Sequence, residues 1–142
     1  MIIDTEKLKV RNQVSSEEFI HLRNSVGFQA LSRKQAVTAL KNTSYLSALD
    51  YNGEIVGIAR LLFDFCTDAY ITDVIVLPEF QGNGLGSVLM DDILEFIRKN
   101  AFIGTKVACT LYANKEKEEF YKRFGFEKLP NKKYGYGMML EF

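Results

Sequence analysis

Histidine, cysteine and proline are scarce in this 142-residue chain, and net charge is absent. There is one histidine, and the two cysteines, Cys66 and Cys109, form no CxxC pair. That set lacks the ligand spacing of a Cys/His metal site, so no metal is expected. The two thiols read as reduced and partly buried. Lys plus Arg and Asp plus Glu number 18 each, so the formal net charge is zero. The basic field that nucleic acid requires is missing. Lys132 and Lys133 form too short a cluster to act as a polybasic arm. No uninterrupted apolar stretch approaches the ~20 residues of a membrane span. The N-terminal segment is charged from Asp4 onward, unlike a signal peptide. These absences predict a cytoplasmic protein with neither nucleic acid nor membrane as partner. With two prolines, no repeat and no linker, residues 1–142 read as one domain.

What is present is a core and a clear order of elements. Hydrophobic residues make up 47% of the chain, enough to build one. Residues 6–12 alternate like a short strand. Residues 15–26 start on Ser-Ser and acids, with apolar Phe19, Ile20, Leu22 and Val26, which predicts an N-capped helix closed by Gly27. Ser32 opens a second helix. Asn52-Gly53 joins two β-rich runs as a tight hairpin. Residues 69–77 form a β-branched strand stopped by Pro78. Leu85, Val88, Leu89, Ile93, Phe96 and Ile97 then repeat at helical spacing. Residues 106–113 read as a strand and residues 114–125 as a helix that Asn114 can cap. Residues 124–129 and 134–142 read as two last strands. The order β-α-α-β-β-β-α-β-α-β-β predicts an α/β (α+β) fold: a mixed, mostly antiparallel sheet flanked by about four helices.

The most informative stretch is "LPEFQGNGLGSVL", residues 77–89. Gly82, Gly84 and Gly86 fall on alternate positions where a strand hands over to a helix. A helix N-terminus offers unpaired N–H groups and partial positive charge. Removing alternate side chains there makes a cradle for an anion such as pyrophosphate. A tight turn without ligand would also use glycine. The Gly-Lys-Ser/Thr of a Walker loop is absent. The dinucleotide fingerprint fails because its sixth position is Ser87, and because this strand is roughly the fourth of its domain.

Gln81-x-x-Gly84-x-Gly86 matches the Gln/Arg-x-x-Gly-x-Gly/Ala acetyl-CoA motif of the GNAT superfamily of N-acetyltransferases. Asn114, Phe120, Tyr121, Gly125 and Phe126 resemble its Asn-x-x-x-x-x-Phe-Tyr-x-x-x-Gly-Phe segment. Within that superfamily the chain is most similar to small bacterial and arylalkylamine-type members. The resemblance implies acetyl-CoA as co-substrate, lying between the strand ending at Val76 and the strand ending near Tyr112. Backbone groups of Val74 and Val76 would pair with its pantetheine arm. The amides of Gln81, Gly82, Asn83, Gly84, Leu85, Gly86 and Ser87 would hold its pyrophosphate. Asn114 would touch the cofactor or cap its own helix. Many relatives are dimers, so a homodimer is an expectation.

The chemistry fixes what else is needed. A free thiol titrates near about 8.5 and an alkyl amine near about 10.4, so the amine must lose a proton and the leaving sulfur gains from receiving one. Tyr121 occupies the family's general-acid position; otherwise it is a helix aromatic packed with Phe120 and Phe124. A backbone N–H around Ile75 or Val76 would stabilise the oxyanion. Tyr70 and Thr72 share the strand parity of Val74 and Val76, and neither is a good base. Asp73 is the one acid there; it is the candidate base or water-orienter only if a bulge re-aims it. His21 reads as a surface side chain. Phe28, Arg60, Tyr134, Tyr136 and Met138 are acceptor-binding candidates, the last three as an aromatic wall or simply a twisted terminal strand. The expected acceptor is a small-molecule amine. A protein or peptide amine is one alternative, and a non-catalytic CoA-binding regulatory module is another.

Overall fold

A computed structural model describes residues 1–142. It divides into two compact units, Met1–Leu111 and Tyr112–Phe142.

The first unit is a five-stranded sheet in the order β1-β2-β3-β4-β5. The strands are β1 (Leu8–Arg11), β2 (Tyr45–Tyr51), β3 (Glu54–Phe63), β4 (Asp68–Val76) and β5 (Ala108–Thr110). The first four pair antiparallel, and β4 pairs parallel with β5. The parallel pair is joined by helix α3 (Leu85–Asn100), the one β-α-β crossover of the fold. Helices α1 (Ser16–Ser25) and α2 (Arg33–Lys41) precede β2. Each begins with a capping box, Ser15 with Glu18 and Ser32 with Gln35, so local sequence alone fixes both starts. Asn52 and Gly53 both have positive φ, 54° and 92°, the backbone of a two-residue turn that matches strand twist.

Register assigns the faces of the sheet. Gly57, Ala59, Leu61 and Phe63 lie on one side of β3, and a Cβ on Gly57 would meet Leu89 of α3 at 3.3 Å. Ile58, Arg60 and Leu62 lie on the other side, where Arg60 bonds to α2. So α3 covers one face, while α1 and α2 cover the other. Phe19, Leu22, Leu49, Ile58, Leu61, Ile71, Leu89 and Ile93 are fully buried between these layers. Met90 is buried on α3, whereas Val88, expected on its apolar stripe, is exposed. No helix is long and apolar enough to cross a membrane.

The second unit holds α4 (Glu118–Lys122), shorter than the helix expected over residues 114–125. Asn114 does not cap it. Its carbonyl accepts from the Lys117 N–H one turn earlier, and α4 has no side-chain cap. Phe120 packs edge-on against Tyr121 and Phe124, at 5.0 and 5.3 Å between ring centres. The strands expected at residues 124–129 and 134–142 do not form. Their alternation is real, but a strand exists only where its N–H and C=O groups find a ladder. The one backbone bond recorded within residues 126–142 is Asn131 N–H to the Tyr134 carbonyl.

Candidate active site

Four features of the first unit converge around the C-terminal half of β4.

The first is an open edge. Ladder partners of β4 on β5 end at Tyr70 opposite Thr110, so Ile71 to Val76 have no ladder partner on that side. Leu77 donates its N–H to Val56 on β3. Backbone groups alternate direction along a strand, so the N–H and C=O of Val76, and of Val74 before it, point away from β3. Those of Ile75 face β3, and Ile75 is the ladder partner of Ile58.

The second is the glycine turn. Gln81 donates its side-chain amide to the Val76 carbonyl at 2.9 Å, tying the turn back to the strand. Asn83 donates to the carbonyls of Phe80 and Gln81. Gly84 is the N-cap of α3 in the left-handed region, φ 78°, and no side chain caps the helix. The first helical bond runs from Val88 N–H to the Gly84 carbonyl. The amides of Leu85, Gly86 and Ser87 therefore have no acceptor in the helix, and those of Gly82 and Gly84 before it are also unpaired. A Cβ on Gly82 or Gly84 would meet nothing within 4 Å, so both glycines serve their positive φ and leave open space over the amides. A 16-residue helix aims its positive end into that space. An anion with several oxygens, such as a pyrophosphate, fits this donor set.

The third is a β-bulge. Between the pairs Ile58 with Ile75 and Arg60 with Thr72, β3 has one residue and β4 has two, Asp73 and Val74. Asp73 takes a positive φ of 49°. The bulge flips strand parity. Thr72 lies opposite Arg60 on the α1/α2 face, while Val76 lies opposite Gly57 on the α3 face. The equal parity expected for Tyr70, Thr72 and Val76 is thereby broken.

The fourth is the charge cluster that the bulge creates. Asp73 is buried, and its carboxylate accepts from Arg23 Nη1 at 2.6 Å and from Arg60 Nε at 2.7 Å. Arg60 also donates through Nη1 to Thr43 Oγ1 and the Ala39 carbonyl. Arg23 donates to the Gln29 carbonyl beyond α1. One carboxylate thus joins the ends of α1 and α2 to the bulged strand. Both of its oxygens are committed to guanidiniums, an arrangement suited to holding structure rather than to taking a proton from an amine. The sequence singles out Arg60 and Phe28 of this group, but not Arg23. Its signal was an arginine four residues after Phe19 on the buried stripe of α1.

Asn114, Tyr121, Tyr134, Tyr136 and Met138 lie in the second unit. Tyr121 is half-buried, and that burial raises its hydroxyl above the ordinary value near 10, so it stays protonated at neutral pH. Tyr134, Tyr136 and Met138 are exposed. His21 is exposed on α1. The Cys109 thiol on β5 is pushed up to about 11 by burial, which leaves it protonated and inert as a nucleophile near neutrality.

Residues 12–126 match the model of the Acetyltransferase (GNAT) family. The chain is 36% identical over 128 residues to the uncharacterized N-acetyltransferase ycf52 of Pyropia yezoensis, covering 87% of this chain and 71% of that protein. It is 30% identical over 120 residues to histone acetyltransferase TAP1 of Glycine max, covering 77% of this chain and 50% of that one. The chain therefore spans about half to about seven-tenths of the length of these two relatives. A protein of unknown function from meticillin-resistant Staphylococcus aureus, described as a probable acetyltransferase, has a similar structure. Its TM-score is 0.82 at 26% identity, over 95% of this chain and 99% of that one.

Proposed function

The chain belongs to the acetyltransferase (GNAT) family of acetyl-transferring enzymes, and from that premise we propose that it moves the acetyl group of acetyl-CoA to the primary amine of a small molecule in the cytoplasm. One observation carries this reading: an open β4 edge that runs directly into a turn of unpartnered amides. That is the shape a long, amide-bearing, pyrophosphate-bearing donor requires.

Bound acetyl-CoA supplies a thioester. The amides of residues 82–87 hold the pyrophosphate, and Gln81 keeps the turn at the strand end. Val74 offers its N–H and C=O to the pantetheine amides, and the Val76 carbonyl, which already accepts from Gln81, offers only its second lone pair. Of the Ile75 and Val76 amides, Val76 is the one that alternation leaves on the open edge, available to an oxyanion. The neutral amine attacks the thioester carbonyl, a C–N bond forms, and the C–S bond breaks. By its motif Tyr121 would give its proton to the departing sulfur, and the proton lost by the amine, carried by solvent, would return to the Tyr121 oxygen. Tyr121 holds this role by its motif, and its raised hydroxyl keeps the proton available. Asn114 is a cofactor contact by the same motif. Asp73, as the partner of two arginines, holds the bulge and is not the base.

The test is release of free CoA thiol against an amine panel. Tyr121→Phe should lower kcat by about 10²–10⁴-fold and leave the acetyl-CoA KM nearly unchanged. It should also remove an alkaline limb lying above pH ~10. Retention of full turnover and of that limb would refute the acid role. If CoA binds but no amine releases thiol, the chain is a non-catalytic CoA module. The likeness to a protein named as a histone acetyltransferase favours a second reading, a protein amine as acceptor. Turnover of a lysine peptide compared with small amines separates the two.

A further inference from the structure

The Arg23–Asp73–Arg60 cluster has one positive charge too many. Two guanidiniums face one carboxylate, which leaves a net charge of +1, and no other charged group pairs with the three. The side chains are only 13%, 12% and 4% exposed. Their surroundings are aromatic. The Arg23 guanidinium carbon lies 5.7 Å from the centre of the Phe19 ring and 5.6 Å from that of Phe28, and that of Arg60 lies 5.3 Å from Phe19. The ring faces attract the guanidiniums and offset part of the surplus charge, but they supply no counter-anion.

The donors are also incompletely used. A guanidinium carries five N–H groups. Arg23 Nε is buried and has no partner. Arg60 spends Nε on Asp73 and Nη1 on Thr43 and Ala39, while Nη2 has no recorded acceptor. Since Nη2 is not among the sealed, unpartnered atoms, it reaches solvent. Asp73 holds the two planar groups around a shared carboxylate, and it directly precedes Val74, with Val76 two residues further along the open edge.

We propose that Arg23 and Arg60, fixed by Asp73, seat an oxyanion carried by the acetyl acceptor, either a carboxylate or a phosphate. The acceptor amine then bears its own negative group, as an amino acid or a phosphorylated amine does. This rests on the acetyl-transfer reading for the word acceptor, but the anion seat stands on the cluster alone. Guanidiniums bind carboxylate and phosphate as planar forks, and a dry aromatic floor strengthens such bonds. An internal lysine of a protein carries no anion beside its amine, so the seat also discriminates against the protein-acceptor reading.

Two matched pairs test it: phenylalanine against phenethylamine, and O-phosphoethanolamine against ethylamine, each scored by thiol release. At least one anion-bearing member should exceed its match in kcat/KM by about tenfold or more, and the pair that does so identifies carboxylate or phosphate. Arg23→Met, which leaves a neutral Arg60–Asp73 pair, should cut that ratio by about tenfold, and Arg23→Lys should restore part of it. Equal turnover within both pairs, or a ratio that Arg23→Met does not change, overturns the proposal. A second measurement needs no turnover. Inorganic phosphate titrated into the intact protein should shift the Nε–Hε resonances of Arg23 and Arg60, with saturation lost in Arg23→Met. Absence of any shift in the unmodified protein overturns the seat even if acetyl transfer is real. A shift without any acetyl transfer leaves the seat and removes the enzyme.

Discussion

The turn at residues 82–87 and the Arg23–Asp73–Arg60 cluster both present positive charge beside the C-terminal half of β4, yet they are built from opposite materials. The turn uses only backbone amides, lies open, and comes from one contiguous stretch. The cluster uses only side chains, is buried, and draws on α1, β3 and β4. Backbone donors attach a ligand without placing charge in the core. Side-chain ions inside the core must first stabilise one another. Damage should therefore separate cleanly: the turn should lose binding and keep its fold, and the cluster should lose stability first.

The largest effect is expected at Asp73. Asp73→Asn leaves two buried guanidiniums without their carboxylate and should cost about 3–5 kcal/mol in urea unfolding. Arg23→Met should cost much less, because a neutral pair remains. Equal losses for the two variants would mean that the cluster is not charge-coupled. Next comes Gly84→Glu, which puts an acid and a strained left-handed residue at the amide turn. CoA affinity should fall about a hundredfold or more by calorimetry, while stability falls only about 1–2 kcal/mol. Binding that survives would break the assignment of the turn.

Gly57→Ala sharpens the contrast between glycine kinds. Gly57 needs no positive φ, but a Cβ there would lie 3.2 Å from the Ile75 carbonyl and 3.3 Å from Leu89. Crowding should cost about 1–3 kcal/mol with little direct effect on CoA affinity. The smallest effect concerns Cys109. In a Cys66→Ser background, iodoacetamide should react at pH 7.5 on the order of a hundredfold more slowly than with an ordinary thiol. The folded thiol titrates at about 11, raised from 9.0. Its contribution to stability is full below pH 9 and should decline as pH rises toward 11. Fast alkylation near neutral pH would mean that β5 opens.

Much was legible because it is local. Ser15 and Ser32 announce their helices through capping boxes, Asn52-Gly53 announces its hairpin, and the glycine turn is read from seven consecutive residues. Asp73 was legible as a conditional only: its face depended on a bulge, and the bulge depends on pairing with β3. Arg23 is not legible in the sequence because its role appears only when residues 50 positions apart in the chain meet. The last two strands were expected from alternation around Gly125, Tyr134 and Tyr136, and they do not form. Alternation describes which side chains could share a face, but it supplies no neighbouring strand.

The sequence by itself determined the family, the order of elements through α3 and β5, and the amide turn, because caps, turns and glycine spacing act over a few bonds. Tertiary structure alone decided the parity flip in β4, the doubly paired Asp73 and the surplus charge beside it. Each of those is a property of register between strands and of the helices packed across them, where no residue's chemistry is complete without a distant partner.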